Sequence, residues 1–485
     1  MNHKFFSAIG IFISSFIFLG SWALSSPIGS SPDEGSHLVG IWCTEINKSV
    51  KCNNSEGPSK FSSQLSGDES CYLYDADQSA GCLQSQEEVY KELSGFNEIK
   101  FYNFLNSFVS DNIIMSVIIM RFINVFILSI CIVFAFIYLR KDIFVGTVFS
   151  FMTVGLPLGF YLVTSINTTS WVILGSIFFI PYIFEIVTNL SVRTIPLIIV
   201  TMLLTYIYLG SRQDGILFLG ISIVSSIPIL AYKIKNFNFF IKMLQHNKLS
   251  RVVISLISLI TLYLIYFVST EISKRASLGL YASTQNVTNW DIGYRFTSLI
   301  SGALGGWGLG SLEVDMPGVV SVSSLFIFFS VIFISLGKSV IHSKLTLLIY
   351  VYFLIFVIWI FLFKSQLFVG QWLQPRYILP IMFGLMSTSF VGIRQDLDKT
   401  FVSQIKIFIF LSTVCFAIGQ HTLLRRYTHG LDELYLNLDQ NKEWWWNFLP
   451  ISPMQLLMIG TISYFATWLI LLKRLNSNQE LIQLK

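Results

Sequence analysis

The chain has 485 residues, of which 53% are hydrophobic, 15% aromatic and only 12% charged, with a mean hydropathy of +0.66 and a formal net charge of +5. This composition excludes a soluble globular protein, and continuous apolar runs of 18 or more residues indicate bilayer-crossing helices rather than a barrel, whose strands would alternate. The bases lie in short connections between apolar runs, so the positive charge gives no ground for a nucleic-acid partner.

The apolar runs predict an all-α polytopic membrane protein with about twelve spans, at 5–24, 113–139, 143–163, 170–188, 195–210, 215–232, 252–270, 321–337, 345–363, 378–392, 401–422 and 453–472. The first run follows Met1 to Lys4 and is read as an uncleaved anchor, although Ser21-Trp22-Ala23 has the small-x-small form of a cleavage site. Lys and Arg concentrate in alternate connections: 233–251 alone holds Lys233, Lys235, Lys242, Lys248 and Arg251. By the positive-inside rule both termini are then cytoplasmic. The chain divides into the first helix (1–24), a first outer loop (25–112), helices over 113–270, an outer loop (271–320), helices over 321–422, an aromatic outer loop (423–452), and a last helix with its tail (453–485). All the unusual polar stretches fall on the outer side.

The first of these, Ser26 to His37, reads S-P-I-G-S-S-P-D-E-G-S-H where the first helix ends. Asp33 and Glu34 are adjacent carboxylates and His37 follows three residues later. A paired carboxylate can remove a proton from a sugar hydroxyl while its neighbour or a histidine orients it. The loop as a whole, 25–112, has thirteen acids against five bases, which disfavours an anionic polymer lying along it. It also carries Cys43, Cys52, Cys71 and Cys82, an even set expected to form disulfides in an oxidising compartment. Three connectivities are open, the pairing of sequence neighbours 43–52 and 71–82 being the simplest. No CxxC spacing supports a metal site. Cys131 and Cys415 lie within helices and are expected to be free.

Further along, Arg121 sits roughly 13 Å inside its helix, a depth at which a charge faces the bundle interior, as one half of an ion pair or as a ligand contact. Arg212 and Asp214 occupy a short outer loop. The stretch 289–295 reads as a short interfacial helix, followed by a glycine-rich loop with Trp307 that lacks phosphate-loop spacing. Gln371-Trp372-Leu373-Gln374-Pro375-Arg376-Tyr377 places an arginine fork, suited to phosphate, among side chains suited to a sugar. Trp444-Trp445-Trp446 offers either an aromatic belt or sugar-stacking surfaces, Trp445 being the candidate.

Taken together, these pieces resemble the C-type (GT-C) membrane glycosyltransferases, which include the protein O-mannosyltransferases and the lipid A aminoarabinose transferases. The resemblance rests on S-P-D-E-G-S-H after the first helix, Arg121-Phe122-Ile123 at a helix start, G-W-G-L-G-S-L-E-V-D-M-P with an insertion, and Q-W-L-Q-P-R-Y-I-L-P. Size and Ile/Phe-rich composition also look like the serotype-converting O-antigen glucosyltransferases of prophages. The resemblance implies a GT-C-like bundle in a bacterial inner membrane with its active site facing the periplasm. It implies an inverting transfer of a sugar, glucose being the best guess, from a polyprenyl-phosphate donor to a glycan on a lipid carrier or lipopolysaccharide.

Carried over, Asp33 is the base and Glu34 its partner, and Arg376, which matches an arginine of the late motif, is the candidate for the donor phosphate. From the residue reading itself, His37 joins the catalytic candidates, Arg212 and Arg121 are further candidate cations for the phosphate, and Trp307, Gln371, Trp372, Tyr377 and Trp445 are candidate sugar contacts. No cofactor is required, because the leaving phosphate is already an anion; the acidic pair could still hold a divalent metal. A transporter or flippase of lipid-linked sugars is the rival class, but it would show repeat symmetry between halves. A lipid-linked oligosaccharide polymerase or ligase would carry its long loop late in the chain.

Overall fold

The computed structural model describes residues 2–43, 59–62, 71–73, 75, 77–85, 88–91, 100–189, 191–212, 214–233, 289–365, 373–392, 399–431, 435–446 and 449–482, with isolated positions 255, 259, 263 and 266. It is an all-α bundle, apart from one antiparallel ribbon in the 25–112 loop, where β1 (Ser59–Ser62) pairs with β2 (Glu88–Lys91). Among the described residues, nine helices are long and apolar enough to cross a membrane, and one bent pair makes a tenth candidate. Apart from the four isolated positions 255, 259, 263 and 266, the predicted span 252–270 lies outside the described residues.

The helices are α1 (Asn2–Leu24), α2 (Glu34–Trp42), α3 (Lys100–Asn106), α4 (Ile113–Tyr138), α5 (Lys141–Thr153), α6 (Phe160–Thr164), α7 (Thr168–Thr188), α8 (Ile195–Ser211) and α9 (Gly215–Lys233). They continue with α10 (Asn289–Ala303), α11 (Gly318–Lys338), α12 (Ile341–Ser365), α13 (Leu379–Thr388), α14 (Lys399–His429) and α15 (Pro453–Ile482). Their starts follow local chemistry. The Asn112 side chain caps α4 by accepting from Met115 N at 3.1 Å, and Asn167 caps α7 by accepting from Thr169 N at 2.8 Å. Each satisfies an amide that the first helical turn leaves unpaired.

α1 packs against α4 and α15, while α7 lies inside, against α5, α8, α9 and α13. Two predicted spans differ from straight helices. The run 143–163 is α5 and α6, bent by 86° at a break over Gly155–Gly159 that contains Pro157, which has no N–H to donate. The run 378–392 is α13, only ten residues, or about 15 Å, against a hydrocarbon core of about 30 Å. Both are buried throughout, so their interrupted backbone faces protein and not lipid, the condition under which broken helices persist in a bilayer.

Despite its shortness, the 376–392 segment reaches from one end of the bundle to the other. Arg376 meets Asp33 at one end. At the other, Gly392 N donates to Asp142 at 3.5 Å and Gly392 O accepts from Val340 N at 3.4 Å. That far end also gathers Arg140, Glu185 and Arg474. The opposite end carries all the candidate site residues that the structure describes. There Gly305 has a left-handed φ of 88° and lies so close to Pro157 that any side chain would collide, which locks the glycine-rich loop onto the α5–α6 bend.

Candidate active site

The chain leaves α1 at Ser25 and turns through Pro27 and Gly29 into α2. Glu34, the first residue of α2, is fully buried, and its carboxylate reaches back over the turn. It accepts from Gly29 N at 3.1 Å, Ser31 N at 3.4 Å and Ile166 N at 3.0 Å. It also pairs with Arg121 of α4 at 2.7 Å, the two side chains being 0% and 1% exposed. Every N–H of that guanidinium is spent. Nε and Nη2 donate to Glu34, Nη1 to the carbonyls of Ala23 and Ser26 at 2.8 Å, and Nη2 also to that of Pro27 at 2.7 Å. A buried ion pair is tolerable only when such hydrogen bonds satisfy both partners, as they do here. Of the two roles open to Arg121, the geometry supports the ion pair and leaves no N–H for a donor phosphate. Glu34 likewise has both oxygens committed, so it is neither a flexible partner for Asp33 nor half of a shared metal site.

Asp33 is arranged in the opposite way. Its φ of 61° and ψ of 7° put it in the left-handed region, which aspartate tolerates better than most residues. That backbone turn throws its carboxylate outward, 55% exposed, while its neighbour is buried. The Arg376 side chain, 3% exposed, grips the turn from beneath. Its Nη1 donates to Pro32 O at 2.9 Å and its Nη2 to the Asp33 carboxylate. Nε has no hydrogen-bond partner among the described residues. Pro32 O is held a second time by Asn167 Nδ2 at 2.7 Å.

Arg212 lies beside this pair, 28% exposed, its Nε 3.0 Å from Asp214 and its Nη1 donating to Thr169 Oγ1 at 3.2 Å. Both guanidiniums approach the Tyr377 ring, Arg376 at 5.3 Å and Arg212 at 5.6 Å from its centroid. One turn along α2, His37 is half-buried, with Nδ1 2.8 Å from the Tyr102 hydroxyl.

The charges set each other's ionisation. Burial drives the His37 imidazole down to about 3; Asp33 opposes this, and the two guanidiniums add to it. His37 is therefore neutral at physiological pH. Burial raises the Asp33 carboxyl, but Arg376, His37 and Arg212 together outweigh burial and hold it below its ordinary 3.8. Burial raises the Tyr102 hydroxyl, so it stays protonated. The site at rest is thus a carboxylate facing two guanidiniums, with a neutral imidazole and a phenol at its edge.

The remaining sequence candidates divide. Tyr377 belongs to the cluster. Trp307 lies behind it: its Nε1 donates to Ser298 O at 2.9 Å, and its ring lies against Gly302. Trp445 is 6% exposed and packs its ring on Tyr427 and Trp444, leaving no open face for a sugar. Gln371 and Trp372 lie outside the described residues, as does Cys52. The Cys71–Cys82 disulfide forms as the neighbour pairing predicts, Cys43 is also disulfide-bonded, and Cys131 and Cys415 are free. Among the described residues no group of three or more His, Cys, Asp or Glu is placed to hold a metal ion.

Two features were missed. Glu313, quoted in the glycine-rich motif but given no role, has its carboxyl raised by burial, accepts from Tyr427 at 3.1 Å and lies 3.9 Å from Arg426. Arg426 in turn donates to the carbonyls of Tyr72, Asp75 and Gln78, docking the disulfide-closed segment on the bundle. Asn167 went unremarked because a lone asparagine before a helix reads only as a cap, and its grip on Pro32 depends on the fold.

A family described as predicted membrane protein (DUF2142) matches residues 16–385, most of the chain and all of the Asp33–Arg376 cluster. No curated protein and no solved structure matches it.

Proposed function

The chain belongs to this DUF2142 family of predicted membrane proteins, and from that premise we propose that it is a GT-C-type glycosyltransferase. It transfers a sugar, which we take to be glucose, from a polyprenyl-phosphate carrier to a glycan such as lipopolysaccharide O-antigen at the periplasmic face of a bacterial inner membrane. The observation that supports this most is the division of labour within the acidic pair. Glu34 is locked by Arg121, and Asp33 alone is exposed, set between two guanidiniums at the end of a helix bundle. A carboxylate positioned beside cations can accept a proton next to an anionic leaving group.

In the reaction, the acceptor hydroxyl oxygen attacks the anomeric carbon from the face opposite the phosphate. The carbon–oxygen bond to the phosphate breaks, its electron pair leaving on the phosphate oxygen, and the acceptor proton passes to Asp33. Configuration inverts. Arg376 and Arg212 offer planar donors to the phosphate as its charge grows. At rest, Arg376 is occupied by Asp33. Donor phosphate competes for that guanidinium and frees Asp33 from the partner that most depresses its basicity. Base activation is thereby tied to donor occupancy, which limits wasteful chemistry on the empty enzyme. Neutral His37, held by Tyr102, contributes a hydrogen bond at the edge of the site without adding charge.

The test is transfer of labelled sugar from a purified polyprenyl-phosphate donor into the acceptor glycan, by the full-length protein in membranes. Incorporation that requires Asp33 supports the reading. Donor binding without turnover, or transport of the intact lipid-linked sugar, contradicts it.

A further inference from the structure

One exposed cation at the Asp33 end of the bundle takes no part in the reaction above. Lys100 opens α3, the short helix that packs on α2 and α8. Tyr102 of that helix is turned to the site, where its hydroxyl meets His37 Nδ1 at 2.8 Å. Lys100 is turned to α8. Its ammonium lies over the Tyr206 ring, 4.5 Å from the centroid, and among the described residues no carboxylate pairs with it. The approach is close because residue 210 is glycine: a Cβ there would come within 2.9 Å of Lys100 Cβ. Arg212, which reaches Thr169 and the Tyr377 ring at the edge of the site, follows two residues later.

Beneath Lys100, α8 presents an exposed apolar face. Ile195, Ile199, Met202, Leu203, Tyr206 and Leu209 are all exposed and recur at the three-to-four-residue spacing of one helix stripe. α8 has 17 residues, so the stripe runs about 25 Å and ends at Lys100 and Arg212. α4 and α11 also expose apolar stripes, but their Asp33-side ends carry exposed aspartates, Asp111 and Asp315. Those ends repel an anion, and the α8 end attracts one.

The charge balance selects the occupant. Asp33 is paired with Arg376, Asp214 with Arg212 and Glu34 with Arg121. These pairs cancel, so Lys100 is the surplus positive charge where the apolar stripe meets the site. The combination suits an anion carried on a long hydrocarbon, with the tail against the stripe and the headgroup at the ammonium. A free phosphate would gain nothing from the stripe, and an uncharged lipid nothing from Lys100. We propose that the α8 face is the lateral entrance for the polyprenyl-phosphate donor, where Lys100 captures the phosphate from the bilayer and passes it to Arg212 and on to Arg376. The lipid's role as donor rests on the transferase reading; the capture of a lipid phosphate rests on Lys100 and the stripe. Lysine suits capture, because its flexible stem carries a point charge that holds an anion without fixing its orientation.

The experiment is photo-crosslinking of the full-length protein in phosphatidylcholine nanodiscs that contain a polyprenyl phosphate. Benzoylphenylalanine replaces Met202 on α8 or, as a control, Phe333 on α11, the two positions being 67% and 69% exposed. Mass spectrometry then counts lipid adducts. Adducts should form at position 202 in excess over position 333. They should fall about fivefold in Lys100→Gln, the worth of one lysine facing an anionic headgroup, and return in Lys100→Arg. In the transfer assay Lys100→Gln should raise the donor KM by a similar factor rather than lower kcat. Equal adducts at the two positions, a yield that Lys100→Gln leaves alone, or a fall in kcat with normal KM overturns the entrance. Equally effective competition by phosphatidylglycerol also overturns it, since the face would then bind any anionic headgroup. The two claims fail separately. Absent adducts with transfer still dependent on Asp33 remove the entrance alone, and Lys100-dependent adducts with Asp33-independent transfer remove the reaction alone.

Discussion

Glu34 and Arg121 meet at 2.7 Å in the interior of the bundle, and between them they hold the turn that presents Asp33. The Arg121 guanidinium binds carbonyls of Ala23, Ser26 and Pro27, while the Glu34 carboxylate binds amides of Gly29, Ser31 and Ile166. The pair is the frame on which the exposed carboxylate is mounted.

Removing one partner leaves the other charged, buried and unpaired. Glu34→Gln and Arg121→Leu should each cost about 3–5 kcal/mol of stability. The loss should show as lower thermal unfolding temperatures and poor yields of monodisperse protein in detergent. Wild-type stability in both variants would mean that the pair does not organise the turn.

Arg376→Lys keeps a positive charge and loses the planar fork that grips Pro32 O and Asp33 together. Its KM for donor should rise by roughly tenfold or more. Arg212→Gln should raise it less, because Arg212 is more exposed and already engaged by Asp214. A normal donor KM in Arg376→Lys would leave the phosphate site unassigned.

His37 gives a pH signature. Its folded value of about 3 lies below its ordinary 6.5, so between those values the unfolded chain binds more protons at this residue. Stability from neutral His37 is complete above pH 6.5 and declines as the pH falls towards 3. Asp33, also lowered, adds loss only below its ordinary 3.8. Unfolding temperature should therefore drop from about pH 6.5 downward, and His37→Asn should flatten that slope between pH 4 and 6.5. An unchanged slope would show that His37 is solvated and titrates normally.

The alternation of basic connections predicts that 423–452 lies outside and 189–193 inside. A cysteine replacing Lys442 should react with an impermeant maleimide on intact cells, and one replacing Arg193 only after permeabilisation. Labelling in the reverse order would turn the Asp33 cluster towards the cytoplasm and its nucleotide sugars.

How far the sequence discloses this site depends on the kind of information. Two adjacent carboxylates at a helix exit, an arginine deep in an apolar run and an arginine in a late polar turn were all legible as unusual, because each costs free energy in a membrane without a purpose. Which carboxylate is buried was not legible. It is decided by Arg121 and Ile166, 87 and 132 residues away in the chain, and no local pattern encodes their arrival. For the same reason Arg121 could be read as a ligand contact until its five donors were accounted for.

The helix pattern was legible wherever a span faces lipid along its length. It misled at 143–163 and 378–392, where complete burial removes the need for a straight, full-length helix. Aromatic residues were the least informative. Trp445 and Trp444 are adjacent in the chain, yet the first is a packed core ring and the second borders a cleft. Only packing separates them.

Asp33→Asn tests most directly whether Asp33 removes the acceptor proton. The substitution keeps size and shape and cannot take the proton. Transfer of labelled sugar from polyprenyl-phosphate donor to acceptor glycan, normalised to protein level in the same membranes, should fall by roughly 10²–10⁴-fold, with donor still bound. Transfer within a few-fold of wild type would take Asp33 out of the mechanism and the account with it.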